Sequence, residues 1–243
     1  MRHIGFAHGA SFDHVVNPAN RVVLAPERGI DEELHFASVN KIGDTYLMLF
    51  ESDRFSANPI HGDLRLAVSS DGREFRRIHP HTPFVGTGSR GTWDENLLVT
   101  STSSMQEVGD EVYIYYFGCP NVYNSWPIQY AVEPARRGSL LYPSYMGLAV
   151  MKRDRYAYAA GHGQLTTHAI EMREGELWVN RGGDGVRVDA LDECGQVTAR
   201  GGPGKLSMQT VYRKVEWAGP PPIGKITLRL ELNGDTLYSV KYS

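Results

Sequence analysis

The chain has 243 residues, a formal net charge of -3, 13 Tyr, 8 Phe, 4 Trp and 26 Gly, long enough for one large or two small domains with a substantial core. Both charge signs are interspersed, which argues against a nucleic-acid footprint, and no apolar run approaches the ~20 residues of a membrane span. Abundant aromatics and glycines suit an all-β protein with many turns.

Met1-Arg2-His3 leads into a strand and not into an apolar leader, so the expectation is a soluble protein, cytoplasmic if Met1 is the true start. Residues 2–30 read as short strands, His3–His8 and Arg21–Leu24, divided by Asn17-Pro18. From Asp31 the chain states one pattern: acidic cluster Asp31-Glu32-Glu33, apolar run Leu34–Val39, turn Gly43-Asp44, strand Tyr46–Glu51, loop, strand Leu64–Ser69 and short strand Glu74–Ile78. The pattern then returns: Trp93-Asp94-Glu95, apolar run Leu97–Ser101, a Ser/Thr-rich stretch of loose register, turn Gly109-Asp110, strand Val112–Phe117, strand Tyr145–Lys152 and a closing strand Tyr156–Ala160. The two Gly-Asp turns lie 66 positions apart, and each reads as the tip of a β-hairpin. An insertion, Cys119–Pro143, carries Tyr123, Trp126, Tyr130 and Tyr142, a content that fits packing or ligand stacking.

Beyond Gly161 the pattern changes to evenly spaced strands: Gln164–Ile170, Glu176–Asn180, Gly185–Leu191, Val211–Trp217, Ile226–Leu232 and Leu237–Tyr242. Val186, Val188 and Ala190 alternate with Arg187 and Asp189, and Leu228, Leu230 and Leu232 with Thr227, Arg229 and Glu231. This predicts a small antiparallel β-sandwich over 161–243. Gly201-Gly202-Pro203-Gly204 reads as a turn, since no strand-to-helix junction precedes it. Four short strands per repeat is the blade pattern of a β-propeller over 1–160, with about two and a half blades present.

The motifs LRLAVSSDGREF, GSRGTWDENLLV, GDEVYIYYFG and GLAVMKRDRYAYAAG, with the tail from GQLTTHAI to LRLELNGDTLYSVKY, resemble the five-bladed propeller glycosidases of families 32, 43 and 130 that carry a C-terminal β-sandwich. The resemblance implies carboxylates at the starts of inner strands that hydrolyse or transfer glycosyl groups. It also implies that the missing blades belong to a longer protein or come from another copy of the chain, making a homo-oligomer. The Arg-Asp-Pro and Glu-Cys-Pro signatures of the fructan-cleaving branch are absent, and Asp192-Glu193-Cys194 lies outside the propeller region.

Glycoside hydrolysis needs two carboxyl groups flanking the scissile bond. Asp94, Glu95 and Glu33 are the catalytic candidates, at the heads of neighbouring blades. Trp93 offers a stacking face. His35 shares a strand face with Glu33, and Asp31, Asp53, Arg54 and His61 lie at the same rim, completing the substrate-binding candidates. Cys119 and Cys194 are far apart, and the histidines, His79 and His81 included, lack zinc-ligand spacing, so neither metal nor cofactor is expected. The partner expected is a carbohydrate, with a non-catalytic carbohydrate-binding or structural remnant as the alternative.

Overall fold

The computed structural model describes residues 2–16, 21–29, 32–54, 61–120, 144–204 and 211–243. Asp31 and the aromatic insertion residues Tyr123, Trp126, Tyr130 and Tyr142 lie outside them. Among the described residues the chain is all β apart from one 3-10 turn at Phe12–His14. Among the described residues no helix is long and apolar enough to cross a membrane. The chain divides into two compact units, Met1–Gln106 with Tyr113–Val150, and Glu107–Val112 with Met151–Ser243.

In the first unit, β1 (Ile4–Gly5) pairs with β4 (Val22–Leu24), and β2 (His8–Gly9) with β3 (Val15–Val16). The main body is a seven-stranded sheet. Its first four members, β5 (Glu32–Ile42), β6 (Thr45–Arg54), β7 (His61–Ser69) and β8 (Arg76–Ile78), form an antiparallel meander. β9 (Leu97–Val108), β10 (Glu111–Cys119) and β11 (Tyr145–Lys152) follow in spatial order and join β7 through a parallel bridge, Gly62 with Leu97. The Ser/Thr-rich stretch after Ser101, read as loose, is a continuous part of β9.

Both Gly-Asp tips are two-residue connections. Gly43 and Gly109 sit at φ 57° and 60°, the positive-φ first position that a primed hairpin turn requires. Alanine at either position is expected to lower stability by about 1–2 kcal/mol, the left-handed penalty of an L side chain, read as a drop in the urea midpoint with unchanged m.

The alternation of β5 and β6 gives the sheet two faces. Leu34, Met48, Phe50 and Ala67 form one buried cluster with Val23 and Leu24 of β4. At the end of that face Glu32 is locked: Arg77 donates twice, Nη1 to Oε1 and Nη2 to Oε2, each at 2.8 Å, and the Ser52 hydroxyl donates to Oε1 at 2.5 Å. The opposite face carries Glu33, His35, Glu51 and Asp53, considered below.

The second unit has a core of Met172, Leu177, Val179, Val186, Val188, Ala190, Val215, Ile226, Leu228, Leu230, Leu232 and Leu237, matching the alternation read from the sequence. Its strands are β12 (Ala159–Thr166), β13 (Ile170–Met172), β14 (Leu177–Arg181), β15 (Val186–Leu191), β16 (Val197–Pro203), β17 (Tyr212–Trp217) and β18 (Gly224–Tyr242). The order β18-β14-β17-β16-β15 closes because β15 also pairs with β18, so five strands make a barrel in place of the expected small antiparallel sandwich. The physical reason is β18 itself. Its 19 residues replace two expected strands, pairing with β15 through Thr227–Leu232 and with β14 through Leu237–Tyr242. Between those halves Asn233-Gly234, which reads as a turn, acts as a bend, with Gly234 at φ 75°.

Gly201-Gly202-Pro203 is not a turn but the end of β16, paired with Trp217, Glu216 and Val215. Gly201 fits because a side chain there would meet the Glu216 carbonyl at 2.8 Å. Tyr156–Ala160, expected to close the second repeat, instead leads into β12, which pairs with β18.

Candidate functional site

A hairpin count from the Gly43-Asp44 turn pairs Ile42 with Thr45 and holds to Ala37 with Phe50. Continued without a break it would set Glu33 opposite Arg54. Phe36 interrupts the count as a bulge, with φ 23°, a conformation rare for a bulky side chain. Its carbonyl accepts from the Thr100 hydroxyl of β9 at 3.3 Å. The register slips by one, so His35 stands opposite Glu51 and Glu33 opposite Asp53.

Directly paired residues share a sheet face, so these four side chains form a square. The row continues: Asp53 pairs with Gly62 of β7, and Gly62 with Leu97 of β9. Gly62 is required there, because a Cβ would overlap the Asp53 carboxylate and stand 2.5 Å from Leu97 Cδ1. Asn96 accepts from the Gly62 amide at 2.9 Å. Glu33, Asp53, Gly62 and Leu97 thus run in line across four strands to the loop bearing Asp94 and Glu95.

Within the square, His35 Nε2 lies 3.3 Å from Glu33 Oε2 and 3.7 Å from Asp53 Oδ2. Arg2 covers it, with Nη1 at 3.0 Å from His35 Nε2 and Nε at 3.5 Å from Glu33 Oε2. Burial opposes ionisation of Glu33, but the His35 hydrogen bond and the surrounding positive charge, that of Arg2 included, outweigh it and hold its carboxyl below the usual range. Glu51 and Asp53 are enclosed, and burial raises both: Glu51 is pushed up to about 10, with the facing Asp53 charge adding to the effect.

The second cluster sits before β9. The Asp94 carboxylate accepts from the Thr92 hydroxyl at 2.9 Å and from the Tyr116 hydroxyl at 3.2 Å. Burial, then the Asp94 charge and this hydrogen bond, raise the Tyr116 phenol. The Trp93 ring stacks on Tyr116 with centroids 5.8 Å apart and meets Tyr145 edge-on at 6.1 Å. Two glycines make room for this group. A Cβ on Gly118 would overlap Trp93 and stand 2.6 Å from Asp94 Cβ, and one on Gly147 would overlap Tyr116 and stand 2.6 Å from Trp93 Cη2. Trp93 remains 38% and Tyr145 51% exposed, so the aromatic group is open to a ligand.

The other candidates divide. Glu95 accepts from the Gly91 amide, a turn-holding role. Arg54 and His61 pair with each other on the face opposite the square, where His61 Nε2 lies 3.4 Å from the Thr87 hydroxyl oxygen. Glu51, Tyr116, Tyr145, Gly118 and Gly147 are members that sequence reasoning missed. Only Glu51 left a signal, as one of two carboxylates spaced i, i+2 at the end of β6.

No protein-family model and no curated protein sequence matches the chain. Among solved structures, a glycoside hydrolase aligns over 61% of this chain and 35% of its own length, with TM-score 0.44 and 17% identity. The chain therefore spans about a third of that structure. A Bombyx mori GH32 beta-fructofuranosidase, BmSUC1, aligns over 91% of this chain and 80% of its own, with TM-score 0.30 and 9% identity. A glycoside hydrolase family 43 arabinoxylan arabinofuranohydrolase from Bacillus subtilis, in complex with cellotetraose, aligns over 86% and 54%, with TM-score 0.25 and 9% identity. The likeness is distant, and any functional conclusion has to come from the side chains.

Proposed function

We propose that this protein binds a carbohydrate at the end of the seven-stranded sheet, on the Trp93–Tyr145 aromatic group beside Asp94. The observation that carries this is the pairing of partly exposed aromatic rings with a carboxylate fixed by Thr92 and Tyr116. A sugar ring presents an apolar face, which suits an aromatic platform, and equatorial hydroxyls, which suit a preset acceptor. In this reading β5–β8 and β9–β11 are propeller blades within 1–160, and 161–243 is a C-terminal all-β domain.

Glycosidase chemistry extends the proposal. Asp94 is the candidate for one of the two carboxyl groups; Glu33 stands three strand spacings, about 14 Å, from Leu97 along the Asp53–Gly62–Leu97 row, beyond the ~5–9.5 Å carboxyl separation of that chemistry. A second reading, binding without turnover, draws on the hydrogen bonds that already occupy Asp94 and Glu95.

The test is calorimetric titration with fructo-, arabino-, xylo- and cello-oligosaccharides, alongside an aryl glycoside turnover screen. Tyr145→Ala is expected to weaken binding about 10-fold, or ~1.4 kcal/mol, with an unchanged unfolding temperature. Saturable binding with turnover lost in Asp94→Asn supports the enzyme, and binding without turnover supports the second reading. Absence of binding to every sugar class overturns both.

A further inference from the structure

The square holds buried carboxyl oxygens that its surroundings leave unsatisfied. His35 is 6%, Glu51 1% and Asp53 0% exposed. Both Asp53 oxygens and Glu51 Oε2 are buried with no hydrogen-bond partner. Buried carboxylates in that state are strongly unfavourable unless a proton or a cation lies between them. Glu33, Glu51 and Asp53 bring three carboxyl groups together on one face, with the Arg2 guanidinium beside Glu33. A cation bound between Glu51 and Asp53 would satisfy the buried oxygens that have no partner.

The geometry points to a divalent transition-metal site formed by His35, Glu51 and Asp53. One donor atom from each lies within 4.8 Å of the others. A tetrahedral ion with ligand distances of about 2.0–2.2 Å spaces its donors about 3.3–3.6 Å apart, so the side chains need to draw in by about 1 Å. One imidazole with two carboxylates selects an ion such as Zn²⁺ over Ca²⁺ or Mg²⁺, whose sites are built from oxygen alone.

The backbone supports the assignment independently of the carboxylate count. The Phe36 bulge, strained at φ 23°, is what turns His35 to face Glu51. Gly62 leaves the space beside Asp53 that any larger residue would fill. Glu33 Oε2 lies 3.3 Å from His35 Nε2, the nitrogen that also faces Asp53 Oδ2 at 3.7 Å, so the imidazole edge is aimed at the carboxyl groups. The sequence missed the site because its ligands come from two strands whose register depends on the bulge. The inference does not depend on the carbohydrate reading.

The experiment uses the full chain, dialysed against EDTA, returned to chelator-free buffer and titrated with ZnCl₂. Calorimetry is expected to show one equivalent bound, and thermal unfolding a rise of several degrees at saturation. Co²⁺ in place of Zn²⁺ should give visible d–d bands. Glu51→Gln and Asp53→Asn should each weaken Zn²⁺ binding at least 100-fold and abolish the thermal response. Each also removes one of two facing buried carboxylates, so the metal-free variants should unfold at or above the parent temperature, which separates loss of the metal from loss of the fold. Failure of the parent to bind Zn²⁺ saturably, or unchanged stoichiometry in both variants, overturns the inference. Because the readout is metal content and not sugar binding, its failure leaves the carbohydrate test standing.

Discussion

Glu32→Ala is expected to destabilise the protein by about 3–5 kcal/mol, the range for breaking one side of a buried ion pair. The side chains of Glu32 and Arg77 are 4% and 12% exposed, and Arg77 donates to both carboxylate oxygens. Removing Glu32 strands the guanidinium, whose Nη2 keeps only the Ala25 carbonyl among these bonds, and deprives the Ser52 hydroxyl of its acceptor. The same pair makes stability depend on acid. Burial is the largest single influence on Glu32 and raises its pKa. The hydrogen bonds from Arg77, Ser52 and the Glu27 amide, with the Arg77 charge, together lower it below the ordinary value of 4.5. A folded-state pKa below the unfolded one gives stability that is complete above about pH 5 and fades as pH falls through the folded value. Urea midpoints measured from pH 7 down to pH 3 should fall for the parent and stay flatter for Glu32→Ala.

Gly118→Ala is the second large effect, and it acts on the ligand site. The added methyl overlaps the Trp93 ring and crowds Asp94 Cβ, while Trp93 is already stacked on Tyr116. Overpacking of this kind costs about 1–3 kcal/mol. The ring and the carboxylate have to shift together, so oligosaccharide affinity should fall with stability. Tyr145→Ala instead reduces affinity alone. Equal stability of Gly118→Ala and parent in urea would show that the aromatic group is not packed as described.

The all-β character, the two Gly-Asp hairpins and the alternating core of the second unit were legible because each rests on a local signal. These are a glycine able to take positive φ at a two-residue turn, and apolar residues at period two. Barrel closure was not legible. It follows from β18 running through Asn233-Gly234, where the turn signal is real but is spent on a bend. β16 was missed because Gly201, Gly202 and Pro203 mimic a loop, while their actual constraint is the close approach of β17.

The site shows the same divide. Glu33 and His35 could be placed on one face by alternation, but Asp53 and Glu51 face them only because Phe36 shifts the register by one residue, and composition carries no mark of that bulge. Glu32 and Glu33, adjacent and chemically alike, end on opposite faces, one as a structural lock and one beside His35. In the Trp93 cluster the aromatic and acidic residues were visible, while the glycines that seat them act through space between distant strands.

The most direct test of the carbohydrate site is a crystal structure of the protein soaked with the oligosaccharide that binds best in the calorimetric panel. The expected density is a sugar ring against the exposed face of Trp93 or Tyr145, with one hydroxyl in hydrogen-bonding reach of the Asp94 carboxylate. Sugar density at the barrel of the second unit, with the Trp93 group bare, would contradict the assignment.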